Sequence, residues 1–137
     1  MLETKVIFSA VKTRTGNSWG NFKGPITFDN LAINLGEGFD ARSGIFTVPT
    51  SGTYRFSFSA QSALGKNQFT EVYVKKNGEN VLKIWDSNEA EKADANNISY
   101  TWMMNLSEND KINLDSVNYL WAHSENPVTF TGELIYI

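Results

Sequence analysis

Along residues 53–60 large apolar and small polar side chains alternate without interruption: Tyr54, Phe56, Phe58 and Ala60 fall on one side, Thr53, Arg55, Ser57 and Ser59 on the other. Successive side chains of a β-strand point to opposite faces, so this run predicts a strand with one face in a core and one in water. A helix would scatter the same aromatics over opposite sides of its axis. Similar strand-like runs occur at 5–11, 44–48, 69–75, 80–85, 98–106, 111–117 and 128–136, and no window carries a helical stripe. Turn signals separate them: Asn77-Gly78, suited to a two-residue hairpin, then Thr50-Ser51-Gly52, the stretch 40–44 and Ser107-Glu108-Asn109-Asp110. Short strands at this spacing predict an all-β sandwich or barrel. No linker, repeat or low-complexity tract divides 1–137, so a single domain is expected.

One core is within reach of 137 residues, and nine Phe, five Tyr and four Trp supply it with rings that favour strands. The net charge of -3 argues against a nucleic-acid partner, because a phosphate backbone is met with clustered Lys and Arg, and Lys75-Lys76 is the one basic doublet. With no cysteine there is neither a disulfide framework nor thiol chemistry. No apolar run is long enough to span a membrane, and Glu3 and Lys5 interrupt the N-terminus where a secretory leader would be apolar. Catalysis is not expected. His123 is the sole histidine, no nucleophile and carboxylate stand beside it, and nothing selects two of the fifteen acidic residues as a working pair. The run Gly36-Glu37-Gly38 with Ala41 has the letters of a dinucleotide fingerprint but no strand before it and no helix after, so it reads as a turn.

A longer spacing is more specific. Phe28 is followed after five residues by Asn34, after four by Phe39, after six by Phe46 and after five by Gly52, with Tyr54, Phe56 and Phe58 then at every second position. Every one of these positions resembles the signature of C1q globular domains. The resemblance extends outward: residues 6–10 look like the family's first strand, 130–136 like its closing strand, and 106–112 like its leucine, turn and strand. It implies a ten-stranded jelly roll of tumour-necrosis-factor-like topology, an extracellular, secreted location and a homotrimer. Two positions depart from the family. Asn109 stands where Gly is usual, a mild change because Asn tolerates a left-handed turn. Glu133 stands where an aromatic is usual, which places a carboxylate near the implied subunit contact. The signature aromatics read as core, while Gly52 and Asn34 read as backbone slots that a larger side chain would disturb.

Candidate sites fall in the loops. The acidic stretch 86–97 carries the oxygen donors calcium favours. Some relatives in the family hold calcium near the trimer apex on two Asp eight residues apart, which fits Asp86 and Asp94, or Asp86 and Asn96 if the alignment is counted back from Asp110. The alternative is a solvated charged loop. Tyr119, Trp121 and His123 cluster in 118–127, which the resemblance makes a connection between the last two strands. Trp85 and Trp19 are similarly placed at strand or loop ends. Rings beside hydrogen-bonding groups can hold a sugar, or they can cap the core. Asn97-Ile98-Ser99 and Asn105-Leu106-Ser107 are glycosylation sequons at a frequency chance accounts for. The function expected from the resemblance is recognition of carbohydrate or other microbial surface ligands, in the manner of a lectin of innate immunity. A cytokine-like or scaffold module for a protein receptor, or a structural matrix protein, is the alternative.

Overall fold

The computed structural model describes residues 4–63, 69–86 and 96–137. Among them lie eleven strands and no helix: β1 (Ile7–Lys12), β2 (Gly20–Pro25), β3 (Asn30–Leu35), β4 (Phe39–Asp40), β5 (Ile45–Thr47), β6 (Gly52–Ser62), β7 (Thr70–Lys76), β8 (Glu79–Asp86), β9 (Asn97–Leu106), β10 (Lys111–Ala122) and β11 (Val128–Tyr136). The expected strands are all present. The short β2, β3 and β4 are additional: β2 is bounded by Gly and Pro, β3 begins and nearly ends on Asn, and β4 is only two residues long, so none carries a clean alternation.

All pairings are antiparallel and form two layers. One layer runs β3-β1-β11-β6-β9, and the other centres on β10, with β7 and β8 to one side and β2, β5 and β4 to the other. The layers join at one corner, where Leu120 and Trp121 of β10 pair with Ser62 and Gln61 of β6. This is the jelly-roll sandwich that the alternation and the resemblance predict.

The signature residues fill the space between the layers. Phe39 stacks on Phe8 at a centroid distance of 4.5 Å, Phe46 lies 4.9 Å from Phe8, and Phe56 stacks on Trp102 at 5.6 Å. Burying such a ring contributes roughly 2–3 kcal/mol, so this aromatic block dominates the stability of the fold. The Tyr54 hydroxyl donates to the carbonyl of Thr50 at 2.7 Å, which lets the ring be fully buried. A Cβ at Gly52 would run into the Tyr136 carbonyl, so that slot is steric as expected. Asn34 is different. Its side chain donates to the Phe39 carbonyl at 3.0 Å and accepts the Phe39 amide at 3.2 Å, bracketing the turn between β3 and β4. It is kept for its hydrogen bonds and not for the backbone slot it was expected to occupy.

The two ends of the sandwich differ. At one end Asn77 and Gly78 turn β7 into β8 with φ of 53° and 85°, and Asn109 turns β9 towards β10 at φ 74°. The buried polar side chains of the described residues, Lys12, Ser62, Thr70 and Ser116, all lie towards the other end, where β1 and β6 finish and β7 begins.

Candidate functional site

At that second end, β2 and β10 run side by side with Leu120 opposite Phe22, Trp121 opposite Asn21 and Ala122 opposite Gly20. Leu120 and Ala122 are buried and Phe22 packs against the core, so the residues between them face outward. On the β2 side these are Trp19, Asn21 and Lys23. On the β10 side they are His123, Trp121 and Tyr119.

The result is a ladder of three rungs. In the first, the Trp19 ring lies 5.8 Å from His123 and 5.1 Å from Trp121. In the second, Trp121 faces Asn21. In the third, the Lys23 ammonium sits 4.9 Å from the centroid of Tyr119. Strand rise puts successive rungs about 7 Å apart. Trp19 is 58% exposed, unusually high for an indole already in contact with two other rings.

Local structure fixes each ring. Two tight turns stand side by side at the top of the ladder, closed by the Thr15–Ser18 and His123–Asn126 bridges. Nδ1 of His123 accepts the Glu125 amide at 3.0 Å, which orients the imidazole. The Asn126 side-chain amide donates to the Gln61 carbonyl oxygen and, at 3.4 Å, to that of Asn97. A rim of amides therefore borders the rings. Lower down, three residues of β10, Val117, Asn118 and Tyr119, lie opposite Lys23 alone, a bulge held by Ser116 donating to the Asn118 carbonyl at 2.7 Å and Asn118 donating to the Phe69 carbonyl at 2.9 Å. Flat apolar faces beside directed donors and acceptors can stack a sugar ring and hydrogen-bond its hydroxyls.

Tyr119 and Trp121 thus belong to strand β10 and not to a connection: β10 continues to Ala122, because β2 stays paired along one edge while on the other edge β6 takes the place of β7 beyond Ser116. Trp85 is not part of the ladder. It lies on β8 opposite Glu71, 5.1 Å from the Lys83 ammonium, which also reaches towards Glu71 at 4.0 Å. Trp19, placed in sequence only at a strand or loop end, makes the two ring contacts of the first rung, and Asn21, Lys23 and the amide rim were not legible, because only the register of β2 on β10 brings them there.

Of the calcium candidates, Asp86 ends β8 opposite Thr70, and Asn96 is tied to Ser62 through both its carbonyl, at 2.8 Å, and its amide, at 3.2 Å. Asp94 lies outside the described residues. Among the described residues no three His, Cys, Asp or Glu side chains group as a metal site.

On the other layer, the outward face carries hydroxyl pairs, Ser57 with Thr101 at 3.0 Å and Ser59 with Thr129 at 2.6 Å. Beside them Arg55 donates to Glu133 at 2.6 Å and 3.0 Å. Ile7, Ile33 and this ion pair line an open depression of about 280 Å³.

Two layers, antiparallel pairing and an aromatic core under an outward ladder define a jelly-roll module of the kind shared by C1q and tumour-necrosis-factor-like domains. The chain belongs to the C1q-domain family, whose model matches residues 7–135. It is 34% identical over 116 residues to the collagen alpha-1(X) chain of Mus musculus, covering 81% of this chain and 16% of that one. It is 43% identical over 58 residues to Caprin-2 of Danio rerio, covering 42% and 6%. The chain therefore spans a small part of the length of either relative. Among solved structures, the globular domain of zebrafish complement 1qA superposes with a TM-score of 0.73 at 24% identity, covering 96% of this chain and 98% of that one. Murine APRIL superposes at 0.70 with 12% identity, covering 96% and 99%. Both show the fold.

Proposed function

We propose that this chain is an extracellular, trimeric recognition module that holds carbohydrate or other microbial surface ligands on the ladder between β2 and β10. The observation that carries this reading is the contact of Trp19, Trp121 and His123 on an exposed face bordered by the amides of Asn21, Gln61, Asn97 and Asn126. Family membership supports the trimer, and three copies of a weak site on one particle raise avidity without any new contact. Calcium belongs to the proposal as a ligand of the acidic stretch 86–97, through Asp86 with Asp94 or Asn96.

The test is a glycan array, probed with the parent protein and with Trp121→Ala, each in calcium and in chelator. Binding that Trp121→Ala abolishes supports the reading. An array without signal under either condition, together with recovery of one stoichiometric receptor from tissue extract, overturns it in favour of a protein-binding module. Calcium is tested separately by the melting temperature, which an occupied site raises by mass action and which stays fixed if the loop binds no metal.

A further inference from the structure

The lysines of the β8-β7-β10-β2 layer are not equivalent. Lys75 pairs with Asp115 at 3.4 Å, Lys76 at the end of β7 with Asp110 at 3.9 Å and Lys83 with Glu71 at 4.0 Å, while Lys111 donates to the Thr47 hydroxyl at 3.2 Å. Lys23 has no carboxylate partner among the described residues; its ammonium is held instead above Tyr119, at the foot of the ladder. A cation held on a ring keeps its direction while leaving its other donors free. At the top of the ladder Glu125 sits in the turn that positions His123 and Arg14 precedes the neighbouring turn, so the two turns carry charges of both signs. The ladder therefore has an aromatic platform in its upper two rungs and a cation at its foot.

From this polarity we infer that the ladder takes an acidic oligosaccharide, lying along β10 with a neutral sugar on Trp19 and Trp121 and a carboxylate or sulfate on the Lys23 ammonium. The dimensions agree. Three rungs about 7 Å apart extend about 14 Å, the reach of two to three sugar residues, and the cation is one rung below Trp121. The inference rests on the ladder being the ligand site.

The experiment is calorimetric titration with three monovalent probes on one core, lactose, sulfated lactose and sialylated lactose, against the parent, Lys23→Gln, Lys23→Arg and Trp121→Ala. The acidic probes bind the parent about tenfold more tightly than lactose, Lys23→Gln brings them down to the affinity of lactose, and Lys23→Arg retains the margin. A preference for one acidic probe over the other assigns the anion as sulfate or as carboxylate. Equal affinity for all three probes, failure of both acidic probes to bind, or a margin that survives in Lys23→Gln overturns the inference. The two readings fail separately. If Trp121→Ala abolishes binding of all probes and Lys23→Gln changes none, the ladder remains the site and only its charge preference is lost. If Trp121→Ala changes nothing, the ladder itself is not the site.

Discussion

Asp110 joins two turns that are far apart in sequence. One carboxylate oxygen accepts the Ser107 amide at 2.8 Å and the other accepts the Asn77 side-chain amide at 3.0 Å, while Asn77 in turn accepts the Lys111 amide at 2.8 Å. The Ser107 amide first, then Asn77 and the nearby Lys76 ammonium, hold the Asp110 carboxyl below its ordinary value of 3.8. Because the folded state lowers this value, the stabilisation is complete above it and is lost as pH falls through the lowered one. Asp110→Asn is thus expected to melt below the parent at pH 6, by an amount on the order of 1 kcal/mol, and to converge with it near pH 2. Thermal melts across that range check this. At Lys12 the fold disfavours the charged form instead of favouring it, with the same sign of pH dependence. The residue occupies a core-facing position at the end of β1, its ammonium 4.9 Å from the Phe22 centroid and 3.3 Å from the Thr27 hydroxyl. Burial lowers its pKa from 10.5 despite the attraction of Asp29. The charged form is penalised in the fold, so stability rises with pH through the window below 10.5. Lys12→Met is expected to raise the melting temperature at pH 7 by a few degrees, with the gain shrinking towards pH 10. At this scale the core was legible, because the buried rings announce themselves by spacing. Lys12 was not, since only its place on the inward face of β1 makes a single lysine unusual.

Strands and turns carry the next level. The β7–β8 hairpin follows from Asn77-Gly78, whose paired positive φ angles match the twist of the flanking strands. A Cβ at Gly78 would meet nothing within 4 Å, so Gly78→Val tests backbone strain without a clash. It is expected to cost about 1–2 kcal/mol in denaturant unfolding. Where the alternation is strong, as in β6, the strand is found within two residues of its expected ends. The candidate site was legible only in part, and the reason lies in β10. Its bulge sets Val117, Asn118 and Tyr119 against Lys23 alone on the β2 edge, while on the opposite edge the partner changes from β7 to β6 midway. In sequence that change looks like a polar connection. Tyr119, Trp121 and His123 could be read as neighbours, but their partners on β2 sit in a Gly- and Pro-bounded strand with one apolar inward residue, Phe22, which gives no period to read.

For the whole molecule, association is the property most open to measurement. The family predicts a trimer of 15.4 kDa subunits, and light scattering at micromolar concentration is expected to return three times that mass. A monomer would count against it. The face of the β3-β1-β11-β6-β9 layer bears the Arg55–Glu133 pair, whose side chains are 45% and 40% exposed in the single chain. If subunits meet there, Glu133→Gln leaves an unpaired guanidinium at the contact and is expected to lower trimer stability by dilution analysis, whereas an exposed pair on a free face changes it by less than about 1 kcal/mol.

The buried polar side chains gathered at one end give the sandwich a gradient of softness. Around the Asn77–Asp110 lock the end is cross-tied, whereas towards the ladder Ser62 and Ser116 replace hydrocarbon in the interior and the hydroxyl of Thr70 is buried without a partner. Local opening should need least free energy there, and amides of β2 and the end of β10 should exchange with solvent before those of β6. A ligand bridging Trp19 and Tyr119 would then act as a clasp on the yielding end, slowing exchange well beyond the residues it touches.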